Sequence, residues 1–108
     1  MPTTTLPPKD KDAANEQLPL PTFQKLLTRD EVAKIFSIDK MTVYKYVENG
    51  TLPKPIKVGE RGSRWPANEI QTIVDARCAG AKGEEVIKIV DRIHANRKAR
   101  LDAIREAA

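Results

Sequence analysis

Between Lys40 and Arg64 stand six cations, Lys40, Lys45, Lys54, Lys57, Arg61 and Arg64, against two acids, Glu48 and Glu60. Among them lie the hydroxyls of Thr42 and Tyr44 and the thioether of Met41. Ammonium and guanidinium groups bind phosphate oxygens and read guanine edges. Hydroxyls also bond phosphate, and a thioether or a threonine methyl packs on a thymine methyl. The chemistry on offer is recognition of a polyanion, and no bond-making chemistry accompanies it. The sequence has no nucleotide-binding glycine loop and no nucleophile signature. Its one histidine, His94, and one cysteine, Cys78, lack the partners that catalysis or metal binding needs. Neither an enzyme, nor a metal, nor a cofactor is expected.

Two short helices must position these groups. Thr28 and Glu31 form a T-x-x-E capping box, with Leu27 and Val32 at the positions of a hydrophobic staple. Val32, Ala33, Ile35 and Phe36 give the first helix its apolar side. Ser37-Ile38 makes a turn, Asp39 caps the second helix, and Ile38 with Val43 repeats the staple. Gly50 supplies the left-handed residue that ends it. Two capped helices this close together cross steeply, as in a helix-turn-helix. At 100° per residue Val43, Tyr46 and Val47 share the inner side. Met41, Thr42, Tyr44, Lys45 and Glu48 lie across the outer one. Any solvated amphipathic helix has such a polar face; the basic hairpin that follows favours a groove-facing role.

That hairpin spans Ile56 to Trp65. A four-residue loop at Gly59–Gly62 sets Val58 opposite Ser63, Lys57 opposite Arg64, and Ile56 opposite Trp65. On this register Ile56 and Trp65 bury together while Lys57 and Arg64 stand side by side outward. Like charges so placed are destabilising unless an anion lies between them, and a phosphate would serve. Arg61 at the tip is placed to enter a minor groove. The competing explanation is a hairpin kept soluble by its charge.

The remainder frames this segment. The chain has 108 residues, nineteen basic and fifteen acidic, net +4. The Lys40–Arg64 stretch carries that whole excess, whereas the part before Leu27 is balanced. Proline-rich residues 1–22 read as a flexible tail without a signal peptide, and nothing later could span a membrane, so a cytoplasmic protein is expected. A third helix starts near Pro66 and ends by Gly80, with Cys78 buried in the series Ile70, Val74, Cys78. A long helix follows from about Glu84 to Ile104. Its stripe of Val86, Val90, Ile93, Leu101 and Ile104 is broken by Arg97 and Arg100. It either folds onto its own domain or pairs with a second copy; broken heptads favour the former and a monomer in solution. His94 is expected on the helix surface. Arg97, Lys98 and Arg100 are expected in solvent or against phosphates.

The run Leu27–Arg77 resembles the AlpA-type phage regulators and excisionases, whose helix-turn-helix is related to that of MerR regulators. The matching residues are Leu27-Thr28, Glu31-Val32-Ala33, Thr42-Val43-Tyr44, Gly50, Pro53-Lys54-Pro55-Ile56-Lys57, Gly59, Arg61, Trp65 and Glu69-Ile70. The Gly-x-x-Pro-x-Pro, Gly-x-Arg, Trp order is the specific part. Leu52 stands where the family usually has Phe, and Ile73 where it often has Trp. The resemblance implies DNA binding by Thr42, Tyr44 and Lys45 with Arg61 in the wing. It also implies one of two roles: turning an integrase toward excision, or switching transcription of a mobile element.

The expected fold is mainly α with a small β-hairpin: a winged helix-turn-helix plus a C-terminal helix. The expected division is a tail at 1–22, a DNA-binding domain at 23–79 and a helical extension at 80–108. The expected DNA-binding residues are Lys40, Met41, Thr42, Tyr44, Lys45, Lys57, Arg61 and Arg64. Duplex DNA is the expected partner, bound cooperatively by several copies beside an integrase. A transcriptional regulator is the first alternative. A protein-interaction module working through the C-terminal helix is the second.

Overall fold

In a computed structural model, residues 23–107 are described. The expectation for a tail at 1–22 lies outside them. The chain forms β1 (Leu26–Leu27), α1 (Arg29–Phe36), α2 (Lys40–Glu48), β2 (Ile56–Val58), β3 (Gly62–Pro66), α3 (Ala67–Cys78) and α4 (Gly83–Ala107). This is a winged helix-turn-helix with a C-terminal helix.

Local chemistry fixes the helix-turn-helix. The Thr28 hydroxyl accepts the Glu31 N–H at 3.1 Å, and the Glu31 carboxylate accepts the Thr28 N–H at 2.9 Å. Those bonds, with Lys25 nearby, hold the Glu31 carboxyl below its ordinary value. Ser37 takes the left-handed conformation, φ 56°, and ends α1. The carboxylate of Asp39 then accepts both the Thr42 N–H and the Thr42 hydroxyl at 2.8 Å, starting α2. At the far end Gly50 has φ +83°, which an L side chain rarely adopts.

The wing is a three-stranded antiparallel sheet in the order β1-β3-β2. Its register departs from expectation by one residue: Ile56 pairs with Arg64, Lys57 with Ser63 and Val58 with Gly62. The cause is Gly62. A Cβ there would come within 2.5 Å of the Val58 carbonyl oxygen, so the strands close directly on this glycine. The loop is therefore Gly59-Glu60-Arg61, with Gly59 at φ +76°. Trp65 consequently does not face Ile56. It pairs with Leu27 of β1, a strand too short to show any periodicity in the sequence.

Trp65 sits at the centre of the core with no exposed surface, among Leu27, Val32, Val43, Leu52, Ile70 and Ile73. Leu52 and Ile73, the two departures from the family pattern, are both fully buried. Val86, Val90 and Ile93 of α4 complete the same core. The apolar stripe continues past it, and Leu101 and Ile104 are exposed. Two further expectations are corrected. Ile35 is 47 % exposed, because α1 turns Val32, Ala33 and Phe36 inward and leaves Ile35 at the edge of that face. Cys78 is exposed, since α3 buries Ile70 and Ile73 and its last turn runs beyond the core.

The start of α3 has no side-chain cap of its own. Chain preceding β1 supplies the acceptors instead. The Lys25 carbonyl takes the Ala67 N–H at 2.8 Å, and the Gln24 side-chain oxygen takes the Asn68 N–H at 3.0 Å. This ties the beginning of the domain to the helix that follows the wing.

Candidate nucleic-acid interface

The outer face of α2 presents Met41, Tyr44 and Lys45 to solvent, with Met41 69 % exposed. Thr42 is half-buried, and its hydroxyl already donates to Asp39. Its one hydroxyl proton is thus engaged within the protein, while its methyl and lone pair stay available. Bonds from Thr42, backbone first, hold the Asp39 carboxyl below its ordinary value. A carboxylate so held keeps negative charge at the leading end of α2 and disfavours phosphate there. Lys40 reaches back to Asp30 at 3.6 Å. Both partners are more than half exposed, so the pair is weak and can open for another anion.

The wing lies beside this helix. Arg61 is at its exposed tip and Lys57 is exposed on β2. Because Lys57 pairs with Ser63, alternation puts it on the opposite face of the hairpin from Arg64. The expected side-by-side pair of cations with a phosphate between them does not form. The Arg64 guanidinium instead folds over its own strand and donates to the Ser63 carbonyl at 3.0 Å. A different convergence takes its place. Arg61, Ser63 and Arg64 of the wing, Tyr44 of α2, and Thr28, Arg29 and Asp30 at the start of α1 line one polar cleft of about 320 Å³.

Arg29 is the member that sequence reasoning missed. Its guanidinium lies 5.9 Å from the centroid of the Tyr44 ring, a cation–π arrangement. The same ring is 6.4 Å from that of Trp65, tilted by 53°. Tyr44 is thus held between a cation outside and the core indole inside. A signal for Arg29 was available. A cation in the first turn of a helix opposes the helix dipole, so an arginine there calls for another purpose.

His94 and Arg97 also lie elsewhere than expected. The Nε2 of His94 accepts the Lys54 N–H at 3.0 Å. Arg97 donates through Nη2 to the Lys54 carbonyl at 2.8 Å and through Nε to Glu69 at 2.9 Å. Neither is a free surface group. Burial, then the charges of Arg97 and Lys54, push the His94 imidazole below its ordinary value.

Residues 26–77 match the family model described as a helix-turn-helix domain, a stretch just under half of the chain. No curated protein and no solved structure matches the chain. Fold and match agree that this segment is a helix-turn-helix, and they support DNA binding. The match stops at Arg77, although the core it belongs to continues into α4. Among the described residues, no helix is long and apolar enough to cross a membrane.

Proposed function

We propose that this protein is a sequence-specific duplex-DNA-binding factor of a mobile element, acting as an excisionase-like directionality factor. The observation that carries the DNA reading is the common cleft. Arg61 and Arg64 of the wing, Arg29 of α1 and Tyr44 of α2 come from separate elements and face one polar opening. In this reading Met41, Tyr44 and Lys45 enter the major groove, while Lys40 and the Thr42 methyl lie at its edge. Arg61 enters the adjacent minor groove, and Arg64 and Lys57 meet backbone phosphates on opposite sides of the hairpin. Several copies bound side by side would bend the DNA and bias an integrase, the partner implied by the AlpA-type resemblance. Sites at 23–79, with 80–108 as a supporting extension, complete the proposal.

Footprinting on the DNA flanking the protein's own gene, with a bending assay, tests it. Clustered direct repeats with strong bending support the directionality role. One operator overlapping a promoter would replace that role with transcriptional regulation through the same contacts. No protection at any salt concentration would refute DNA binding itself.

A further inference from the structure

The recognition helix and the wing are joined by residues 49–55, and the last part of this connection has an unusual anchorage. Pro53 and Pro55 carry no N–H group. The Leu52 N–H turns back to the Tyr46 carbonyl at 3.2 Å. Beyond it, among the described residues, no backbone–backbone hydrogen bond holds 53–55. Side chains hold them instead. The Trp65 indole N–H donates to the Pro53 carbonyl at 2.8 Å. Both backbone polar groups of Lys54 are taken by α4: its N–H by His94, its carbonyl by Arg97. Arg97 is itself fixed by two contacts to the Glu69 carboxylate of α3, with that carboxylate side chain only 13 % exposed. His94 accepts through Nε2, which requires the neutral ring with its proton on Nδ1.

We propose that Arg97 and His94 are positioning residues for DNA binding. The C-terminal helix grips the connection between α2 and the wing and so sets the angle of the hairpin against the recognition helix. The functional part of this inference rests on the DNA-binding reading. Its structural part does not. Contacts this far from the groove act through the geometry they impose, since neither residue lines the cleft between wing and helices.

Amide hydrogen exchange and DNA affinity, measured on the full chain, test it together. In the double variant Arg97→Ala/His94→Ala the wing amides of β2 should exchange about 3- to 30-fold faster, while the α1 and α2 amides keep their rates. Affinity for a short mixed-sequence duplex at low salt should fall by a similar factor. Lys98→Ala, which removes the same charge from the same helix at a side chain that pairs with Asp102 of that helix, should leave wing exchange unchanged. Arg97→Lys, which keeps the charge but loses the planar fork that holds Glu69 and the Lys54 carbonyl together, should fall between wild type and the double variant. Equal acceleration of all amides would make these contacts general stabilisers and overturn the proposal, as would an unchanged wing. Should the double variant not fold, Arg97→Lys and His94→Gln, each retaining part of the grip, decide the same question by the same local-against-uniform comparison. If the wild type binds no duplex, the DNA reading fails, while the exchange rates still decide whether α4 holds the wing.

Discussion

The indole of Trp65 and the carbonyl of Pro53 are joined by a hydrogen bond of 2.8 Å inside the core. One side chain therefore supplies both the largest apolar surface of the domain and the anchor for the segment leading into the wing. Trp65→Ala should lower stability by about 3–5 kcal/mol, enough to leave little folded protein. Trp65→Phe keeps the apolar contact but leaves the Pro53 carbonyl unsatisfied, at a cost of about 1–3 kcal/mol. Denaturant titration of both variants checks the order. A Phe variant as stable as wild type would show that the indole N–H has no structural part.

The arginines of the cleft should behave differently from the core. Arg29→Ala, Arg61→Ala and Arg64→Ala should each leave the melting temperature nearly unchanged. Each that meets a phosphate should make the salt dependence of DNA affinity shallower by about one unit of log K against log salt. For Arg29 the decisive comparison is with Lys34→Ala, another cation on α1 that lies outside the cleft. Equal slopes for these two variants would remove Arg29 from the interface.

Lys45→Ala tests the recognition helix. Lys45 is exposed on the side of α2 away from buried Val43, so the fold should persist. Loss of one good base contact should cost about 1–3 kcal/mol at the cognate site. Affinity unchanged at both cognate and random sequence would show that another face meets the DNA.

Gly62→Ala probes the hairpin register. Its added Cβ would press on the Val58 carbonyl, a backbone atom that cannot rotate away. The strands should separate locally or slip, and nuclear Overhauser contacts between β2 and β3 should be lost. Retention of the Val58–Gly62 pairing would mean that the turn, rather than the glycine, fixes the register.

Stability should fall as pH drops through the range of His94. Its folded pKa lies below its unfolded one, because burial disfavours the imidazolium and because the charges of Arg97 and Lys54 oppose it more than Glu69 and Asp91 favour it. The unfolded chain therefore takes up the proton first. The stabilisation is fully present above the unfolded value, about 6.5, and is lost as pH falls from there through the folded pKa. The imidazolium also cannot accept the Lys54 N–H. Melting curves from neutral to mildly acidic pH should show a drop in wild type that His94→Gln lacks. Identical pH profiles for the two proteins would dismiss the linkage.

What could be read in the sequence was what neighbouring residues decide. Thr28 with Glu31, Asp39 with Thr42, and the glycine at 50 each carry their cap or turn within a few positions, and all stand where expected. The misreadings depend on distant chain. The hairpin slipped by one because the approach of position 62 to the Val58 carbonyl is visible only in three dimensions. Cys78 continues the apolar spacing of Ile70 and Val74 yet is exposed, because periodicity does not say where the neighbouring core ends. Arg97 interrupts an apolar stripe in the sequence, yet its partners, Lys54 and Glu69, lie 43 and 28 residues earlier. Arg29 stands out in the sequence as a cation in a first helical turn, but its use depends on Tyr44, which only the crossing of α1 and α2 brings near.

The shared core of β1, β3 and α4 also governs how the chain can be made. Leu27 and Ile93 are the first and last buried apolar residues among those described. At ordinary ribosomal rates the interval between their syntheses is roughly 3–13 s, long compared with helix formation. During its first half the nascent α1–α2 pair can form its caps but still lacks Trp65, Ile70 and Ile73, which share the core with Val32 and Val43. The core is therefore completed only after its helix-turn-helix has been translated, because Val86, Val90 and Ile93 are the last to join it.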